Sequence, residues 1–268
     1  GFFSRYRVNV LLRTEALSID RAGRTLRARS PEGEQDIPYD ALILAQGGTP
    51  VVPPLPGVDL PQVFKLWTIP DMDAIQKFIA DKKPKNAVVV GGGFIGLETA
   101  EAFVERGLAV TVVELTDHLM PPMDAFYGDR IAERFRAAGA RVLVKRAVAE
   151  IRADSVLLDD GSSVPADLVL LSVGVRPNTE LAAAAGLALG TGGALAVDEH
   201  LRTADERIWA AGDMVEVVSK VSGAKVRIPL AGPANRQGRI AAGNALAALA
   251  AESGVPGPAP AAYRGAAG

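Results

Sequence analysis

Three glycines that follow an apolar run are the residues of this sequence best suited to holding a ligand. Gly91, Gly93 and Gly96 are spaced as G-x-G-x-x-G and come directly after the apolar segment 87–90. In such a pattern the first glycine permits a tight turn, the second lets the backbone approach a pyrophosphate, and the third lets a helix pack close to a sheet. The amide groups at the start of that helix attract phosphate. The spacing predicts a dinucleotide-binding turn, with a glycine turn of a generic α/β domain as the alternative.

A carboxylate at the end of the next apolar run indicates which dinucleotide is bound. Glu114 closes the segment 109–113 and lies 18 residues beyond Gly96. At this spacing a carboxylate suits a ribose diol, because it accepts hydrogen bonds from both hydroxyls and repels a 2′-phosphate. The sequence therefore favours NAD(H) over NADP(H).

Two other glycines follow buried strands and mark further ligand positions. Gly47 comes after the apolar segment 41–45, and Gly212 precedes Asp213 after the segment 207–211. Ligands of open α/β sheets lie beyond the carboxyl ends of the strands. Asp213 is therefore a candidate for binding a polyol, although spacing alone equally allows it to cap its own loop or the next helix.

The composition argues against several kinds of chemistry. The 268 residues contain no cysteine and two histidines, so we expect no thiol catalysis, no disulfide and no metal site. Of the histidines, His118 is expected to be a solvated loop residue rather than a base.

A formal net charge of −2 gives no reason to expect a nucleic-acid partner. No apolar run reaches the roughly 18 residues that cross a bilayer, and the first residues lack the layout of a signal peptide, so a cytoplasmic protein without membrane contact is expected.

The glycine motif lies in an alternation of strands and helices that predicts the fold. The order β-α-β-α-β is typical of a parallel sheet with right-handed crossovers. Short strands around the turn 159–162 then indicate an antiparallel insert, so the fold class is α/β, a Rossmann-like three-layer domain with an antiparallel insert. The predicted strands are 8–12, 41–45, 87–90, 109–113, 141–144, 148–151, 156–158, 168–173 and 207–211, with a hairpin around 21–23, helices at 71–81, 97–106, 129–138 and 234–251, and a proline-rich connector at 51–61.

Five segments together carry a resemblance to a known family. They are residues 39–45, 91–98, 174–178, 208–213 and 229–239. These segments resemble the FAD- and NAD-dependent pyridine nucleotide-disulfide oxidoreductases. The last segment is quite specific to the branch that contains coenzyme A-disulfide reductases, NADH oxidases, NADH peroxidases and persulfide reductases. The resemblance covers nearly the whole chain.

The resemblance implies roles for single residues. It places Asp213 on the ribityl chain of FAD and Ala231 beside the flavin ring. It places Phe94 as an aromatic gate on the nicotinamide side of the flavin, with core packing as the alternative. Glu98 is placed near the nicotinamide carboxamide, with an exposed position on the first helical turn as the alternative. The motifs and the resemblance together predict these cofactor-binding residues: Gly47, Gly91, Gly93, Phe94, Ile95, Gly96, Glu98, Glu114, Gly174, Gly212, Asp213 and Ala231.

The resemblance also implies a larger protein than this chain. Family members begin with an FAD-binding glycine motif and a redox cysteine, both expected upstream of Gly1, and they end in a dimerisation domain. We therefore expect an internal fragment, without a catalytic residue of its own, of a homodimeric flavoprotein that passes hydride from NADH through FAD to a disulfide, persulfide, peroxide or oxygen. The alternatives are a non-catalytic NAD(H)-binding fragment and a ferredoxin reductase-like flavoprotein. The predicted domains are 1–66 and 196–252 for two pieces of an incomplete FAD-binding Rossmann-like lobe, 67–195 for NAD(H), and 253–268 for the start of the dimerisation domain.

A missing first FAD strand has a physical consequence. Without that strand, the segments 42–45 and 208–211 leave apolar surface and unpaired backbone groups exposed. We therefore expect residues near 1–66 and 196–250 to be distorted, swapped or paired with another chain.

Overall fold

The computed structural model describes residues 2–265 and divides the chain into two compact units. One unit runs from Thr49 to Val175, and the other consists of the residues up to Gly48 together with those from Arg176 onward. The helices are α1 (Phe2–Arg5), α2 (Ile69–Lys82), α3 (Phe94–Glu105), α4 (Ala125–Ala137), α5 (Glu180–Ala184) and α6 (Ala231–Glu252), with a 3-10 turn at Thr191–Gly193. The strands are β1 (Glu15–Asp20), β2 (Thr25–Ser30), β3 (Gly33–Pro38), β4 (Leu42–Leu44), β5 (Gly48–Pro50), β6 (Val63–Lys65), β7 (Asn86–Val90), β8 (Ala109–Val113), β9 (Arg141–Leu143), β10 (Val148–Ile151), β11 (Ser155–Leu158), β12 (Ser163–Pro165), β13 (Leu168–Leu171), β14 (Val175–Pro177), β15 (Ile208–Ala210), β16 (Val217–Val218) and β17 (Lys225–Val226).

Two of the predictions made from the sequence concern the ends of the chain. Gly1, upstream of which the redox cysteine is expected, lies outside the described residues. So do residues 266–268, the last part of the segment assigned to the start of a dimerisation domain. The expected cysteine therefore stays a prediction about sequence that precedes Gly1, and the dimerisation segment stays a prediction as well.

A five-stranded parallel sheet forms the centre of the unit Thr49–Val175. Its strand order is β6–β13–β7–β8–β9, and neighbouring strands run parallel throughout. Valine and leucine fill the central strands, and Val88, Val89 and Val169 are completely buried. Continuous apolar runs of this kind are typical of strands covered on both faces. The β-α-β-α-β order predicted around the glycine motif is confirmed.

Alternate residues of this sheet pack into two separate hydrophobic layers, as the strand period of two requires. On one face, Val89 belongs to a cluster that also contains the helix residues Phe103 and Ala132. On the other face, Val88 belongs to a cluster with Val156 of the three-stranded antiparallel sheet β10–β11–β12. The unit is therefore a three-layer α/β domain with an antiparallel insert, which confirms the predicted fold class.

All four predicted helices begin two to four residues earlier than predicted, with α4 starting at Ala125 rather than at 129 and α6 at Ala231 rather than at 234. α2 begins at Ile69 rather than at 71, because Thr68 and Asp71 form a capping box in which the Thr68 N–H donates to Asp71 Oδ2 at 2.8 Å and the Asp71 N–H donates to Thr68 Oγ1 at 3.4 Å. α3 begins at Phe94 rather than at 97, because the backbone becomes helical directly after Gly93. Hydrophobic periodicity reports buried faces, whereas these starts depend on backbone hydrogen bonds.

The other unit combines an antiparallel meander with a pair of parallel strands. β1, β2 and β3 form the meander, which confirms the hairpin predicted around 21–23. β4 and β15 pair in parallel, with Leu42 opposite Ile208. Trp209 of β15 is 2% exposed and belongs to a cluster that includes Ala241 and Ala245 of α6. Burial of α6 against this strand pair forms the core of the unit.

The strand predicted at 8–12 is wrong. This apolar segment belongs to no strand, and Val8, Val10, Leu11 and Leu12 are all exposed, Leu12 by 77%. An extended apolar segment becomes a strand only where a neighbouring strand satisfies its backbone groups. Within the described part of the chain, this segment has no such ladder.

The small parallel sheet is open on the side of β4. β15 is bordered on its far side by residues 201–203, since the Ala210 N–H donates to Leu201 O and the Thr203 N–H donates to Ile208 O, both at 2.9 Å. β4 pairs only with β15 among residues 2–265, and Ile43 is 37% exposed. An open edge of this kind is a template for a further strand. The distortion, swapping or pairing expected for residues 1–66 and 196–250 stays a prediction.

Asp167 ties the strand that leads into the glycine motif to its neighbour. Its Oδ2 accepts hydrogen bonds from the backbone N–H groups of Lys85 and Asn86 at 2.9 and 2.8 Å, and from Asn86 Nδ2 at 3.0 Å. The backbone bonds from Asn86 and Lys85 are the main causes that lower the pKa of Asp167. Because Asp167 directly precedes β13 and Asn86 opens β7, the carboxylate helps to align these two strands.

We expect Asp167→Ala to lower the free energy of unfolding by about 1–2 kcal/mol, because the amide donors lose a charged acceptor. The folded pKa lies below that of the unfolded chain, so this stabilisation is complete above the unfolded pKa of about 3.9 and is lost as the pH falls through the folded value. Urea unfolding at pH 7 and at about pH 3 measures both effects. Asp159→Ala, on an exposed turn, is the control, and an equal loss in both variants contradicts the assignment.

Candidate functional site

The glycine turn joins the end of β7 to the start of α3. Gly91 has a φ of +107°, which L side chains rarely adopt, and a methyl group there would overlap the backbone oxygen of Ser172. The Gly91 N–H donates to Val113 O at 2.8 Å. The turn therefore fits against the ends of both strands that flank β7, and residue 91 has to be glycine.

Gly93 and Gly96 meet two different steric requirements. A methyl group on Gly93 would have no neighbour within 4 Å, so the backbone at this point faces open space. A methyl group on Gly96 would overlap Gly91 O, so α3 lies directly on the turn. Open backbone followed by a close helix is the geometry that a pyrophosphate-binding turn needs.

The first turn of α3 offers its amide groups to a ligand. Gly93 is the N-cap of this 12-residue helix, and as a glycine it has no side chain that could cap the helix itself. The uncapped N–H groups and the helix dipole favour an anion at this end. Together with the open space at Gly93, this helix start fits a pyrophosphate, and the assignment of Gly91, Gly93 and Gly96 to the coenzyme stays a prediction.

Glu114 lies next to the glycine turn with both carboxylate oxygens held. It is 6% exposed. Its Oε2 accepts a hydrogen bond from the Gly92 N–H at 2.6 Å, and its Oε1 accepts from the Thr116 N–H at 2.8 Å and lies 2.8 Å from Thr116 Oγ1. Bonds from backbone amides compensate the burial of the charge. The structure thus brings Glu114 to the turn, as the 18-residue spacing predicts.

Gly92 and Thr116 are site residues that the sequence pattern did not single out. Gly92 occupies a variable position of the glycine motif, yet its N–H holds Glu114 and its carbonyl accepts from the Met120 N–H at 2.8 Å. Thr116 follows the acidic residue by two positions. A short polar side chain directly after a strand-terminal carboxylate is the signal that could have identified it, because threonine hydroxyls commonly bond nearby groups in turns.

His118, in the same loop, is less solvated than the sequence led us to expect. Its side chain is 14% exposed, and its Nδ1 lies 2.8 Å from Leu119 O. A carbonyl oxygen can only accept a hydrogen bond, so Nδ1 is the donor. This bond holds the imidazole ring against the backbone of its own loop.

The residues assigned to the nicotinamide end lie on the first turn of α3. Phe94 is 57% exposed, so it does not pack in a core of this unit. Ile95 is half-buried and Glu98 is exposed. Gly174 has a φ of +118° and accepts a hydrogen bond from the Val51 N–H at 2.9 Å. The nicotinamide roles of Phe94 and Glu98 stay predictions.

In the other unit, Gly212 and Asp213 follow the end of β15, beside the end of β4. Gly212 has a φ of +86°, and its N–H donates to Gln237 Oε1 at 2.8 Å. Gln237 is 1% exposed and lies on α6, so a buried side-chain amide ties the strand end to the helix. Gly47, with a φ of +64°, follows the adjacent strand β4, and Ala231 is the exposed first residue of α6.

Asp213 is partly buried, and its carboxyl group is influenced by the positive charge of Arg227. Burial raises the pKa of its carboxyl group, and the positive charge of Arg227 acts in the opposite direction. Burial likewise lowers the pKa of Arg227, opposed by the charge of Asp213. A half-buried carboxylate at a strand end is suited to accept hydrogen bonds from hydroxyl groups of a ligand.

The sequence of this chain matches the model of one protein family over most of its length. The model described as "Pyridine nucleotide-disulphide oxidoreductase" matches residues 3–238. The chain belongs to this family. Two solved structures that are 34% and 35% identical share its fold with TM-scores of 0.88 and 0.87, and together with the family model they confirm the Rossmann-like class and the resemblance.

Proteins similar to this chain include a sulfur oxidoreductase, a persulfide reductase and a ferredoxin reductase. The "NAD(P)H sulfur oxidoreductase (CoA-dependent)" of Pyrococcus abyssi is 34% identical over 91% of this chain and 55% of its own length. The NAD-dependent persulfide reductase from A. fulgidus is 35% identical with a TM-score of 0.87, covering 91% of this chain and 46% of that one. A ferredoxin reductase from Rhodopseudomonas palustris is 35% identical with a TM-score of 0.82, covering 90% of this chain and 59% of that one. The chain spans about half the length of the curated relatives it matches first.

None of the helices formed by residues 2–265 combines the length and the apolar character needed to cross a membrane.

Proposed function

We propose that the unit Thr49–Val175 binds NAD(H), with Gly91, Gly93 and Gly96 at the pyrophosphate and Glu114 at the adenosine ribose. The observation that carries this proposal is the buried Glu114 carboxylate, held by both oxygens beside the glycine turn. A carboxylate in this place accepts hydrogen bonds from a ribose diol and repels a 2′-phosphate, so NAD(H) is favoured over NADP(H). The nicotinamide ring supplies the hydride when bound, while this chain's residues hold the phosphates and the ribose.

We further propose that the whole protein is a flavoprotein oxidoreductase that transfers electrons from NADH through FAD to a disulfide, persulfide, peroxide or oxygen. Membership of the family and the similarity to sulfur and persulfide reductases support this proposal. The domain bounds predicted from the sequence, 67–195 for NAD(H) and 1–66 with 196–252 for FAD, differ from the bounds of the two compact units and stay predictions. A redox cysteine upstream of Gly1, a homodimer and a cytoplasmic location belong to the same proposal. The other residues proposed to bind the cofactors are Gly47, Phe94, Ile95, Glu98, Gly174, Gly212, Asp213 and Ala231, with Phe94 and Glu98 at the nicotinamide and Asp213 and Ala231 at the FAD.

Calorimetric titration of the 268-residue chain with NADH and NADPH tests the coenzyme site. We expect NADH to bind and NADPH to bind at least about tenfold more weakly, a difference of about 1.4 kcal/mol. An absorbance scan of the same sample detects bound flavin and tests the FAD proposal separately. If neither nucleotide binds to the folded chain, the glycine motif has been misinterpreted; equal affinities overturn the role of Glu114.

A second candidate function differs in the electron acceptor. The similarity to a ferredoxin reductase favours a flavoprotein that passes electrons to a protein rather than to a small disulfide. NADH-dependent reduction of a ferredoxin, measured beside reduction of a disulfide and a persulfide with the whole protein, separates the two candidates. Both candidates keep the same NAD(H) site in the unit Thr49–Val175.

A further inference from the structure

Thr116 connects Glu114 to the loop that follows β8. Its backbone N–H donates to Glu114 Oε1 at 2.8 Å. Its hydroxyl lies 2.8 Å from the same carboxylate oxygen and 2.9 Å from the carbonyl oxygen of His118. A hydroxyl has a single hydrogen, and both neighbours accept hydrogen bonds, so that hydrogen is shared between the carboxylate and the carbonyl. The side chain therefore links the acidic residue to the backbone two positions further on.

The same loop is tied to the glycine turn from its other end. The Met120 N–H donates to Gly92 O at 2.8 Å, and the Gly92 N–H donates to Glu114 Oε2 at 2.6 Å. These hydrogen bonds and the covalent chain thus close a ring, which passes through Glu114, Thr116, the loop to Met120 and Gly92. The ring fixes both the position and the rotation of the carboxylate group.

Thr116 is at the open side of this ring. Glu114 is buried, whereas Thr116 is exposed. A carboxylate has about four lone-pair positions, and protein donors reach both oxygens without saturating them. A ribose arriving at the turn therefore meets a carboxylate that still accepts hydrogen bonds but cannot rotate away.

We propose that Thr116 is a positioning residue that determines coenzyme specificity, an inference that rests on the NAD(H) function proposed above. Its hydroxyl holds the Glu114 carboxylate where it accepts the 2′-hydroxyl of the ribose. A carboxylate that cannot turn aside also stays close to a 2′-phosphate and repels it. A carboxylate that is free to rotate therefore binds NADH more weakly and repels NADPH less. Both effects reduce the preference for NADH over NADPH.

The substitution Thr116→Val removes the hydroxyl while it keeps the shape and the backbone donor. In titrations of the 268-residue chain, we expect NADH to bind about five- to tenfold more weakly and the ratio of NADPH to NADH dissociation constants to fall by at least as much, since a bond to a charged group is lost. Thr116→Ser keeps the hydroxyl and is expected to retain the original ratio. Because Thr116 is exposed, both variants should fold, which circular dichroism checks; Thr116→Ala replaces Thr116→Val if the latter does not.

A double-mutant cycle distinguishes positioning from an independent effect. If Thr116 acts through Glu114, Thr116→Val has little further effect on the coenzyme ratio in a Glu114→Gln background. Additive effects, or an unchanged ratio in Thr116→Val alone, overturn the inference while leaving the NAD(H) site intact. Absence of NADH binding in the unaltered folded chain overturns the proposed function and this inference with it.

Discussion

Replacement of Gly91 by alanine is expected to cost the chain about 3 kcal/mol or more in free energy of unfolding, and to weaken NADH binding more than tenfold. Two costs add at this position. The φ of +107° strains any L side chain, and the methyl group overlaps Ser172 O, a backbone atom that cannot move without displacing the end of β13. Relief of the overlap moves the turn away from the position that a pyrophosphate needs. Chemical denaturation and NADH titration measure the two effects.

Gly107→Ala is the matched control for the Gly91 variant. Gly107 also has a positive φ, +81°, but a methyl group there meets nothing within 4 Å. This variant should therefore show the backbone strain alone, about 1–2 kcal/mol, and should bind NADH normally. Equal destabilisation by the two substitutions would mean that the contact with Ser172 does not matter.

Glu114→Gln is expected to weaken NADH binding about tenfold or more and to abolish most of the preference over NADPH. The amide oxygen of glutamine can face only one of the two donor groups, Gly92 N–H or Thr116 N–H, so its NH₂ group opposes the other donor. Loss of the charge also removes the repulsion of a 2′-phosphate. Unsatisfied buried donors are expected to reduce the free energy of unfolding by about 1–3 kcal/mol.

Glu101→Gln removes one negative charge from the same unit at an exposed position of α3 and serves as the control. Its coenzyme ratio and stability should equal those of the unaltered chain. The measurement is the pair of dissociation constants for NADH and NADPH with the denaturation midpoint of each variant. A Glu114→Gln variant that keeps its preference for NADH contradicts the ribose assignment.

The sequence by itself determined the α/β class, the order of strands and helices around the glycine motif, and the family. Those features are local or periodic. Buried strands such as 87–90 are continuous apolar runs, and the positions of Gly91, Gly96 and Glu114 follow from turn and strand geometry within one β-α-β unit. Family segments such as 229–239 are recognisable from the order of their amino acids alone. The strand predicted at 8–12 did not form, and the predicted helices began two to four residues too late.

Tertiary structure decided how the site is held together. Gly92 and Glu114 are separated by 22 residues, yet a hydrogen bond of 2.6 Å joins them. Asp167 bonds to backbone donors 82 and 81 residues earlier in the chain. Hydrophobic periodicity shows which face of an element is buried but not which polar groups meet across elements. Those partners depend on the register and stacking of the folded strands, because a hydrogen bond forms only within about 3.5 Å and in a narrow range of angles.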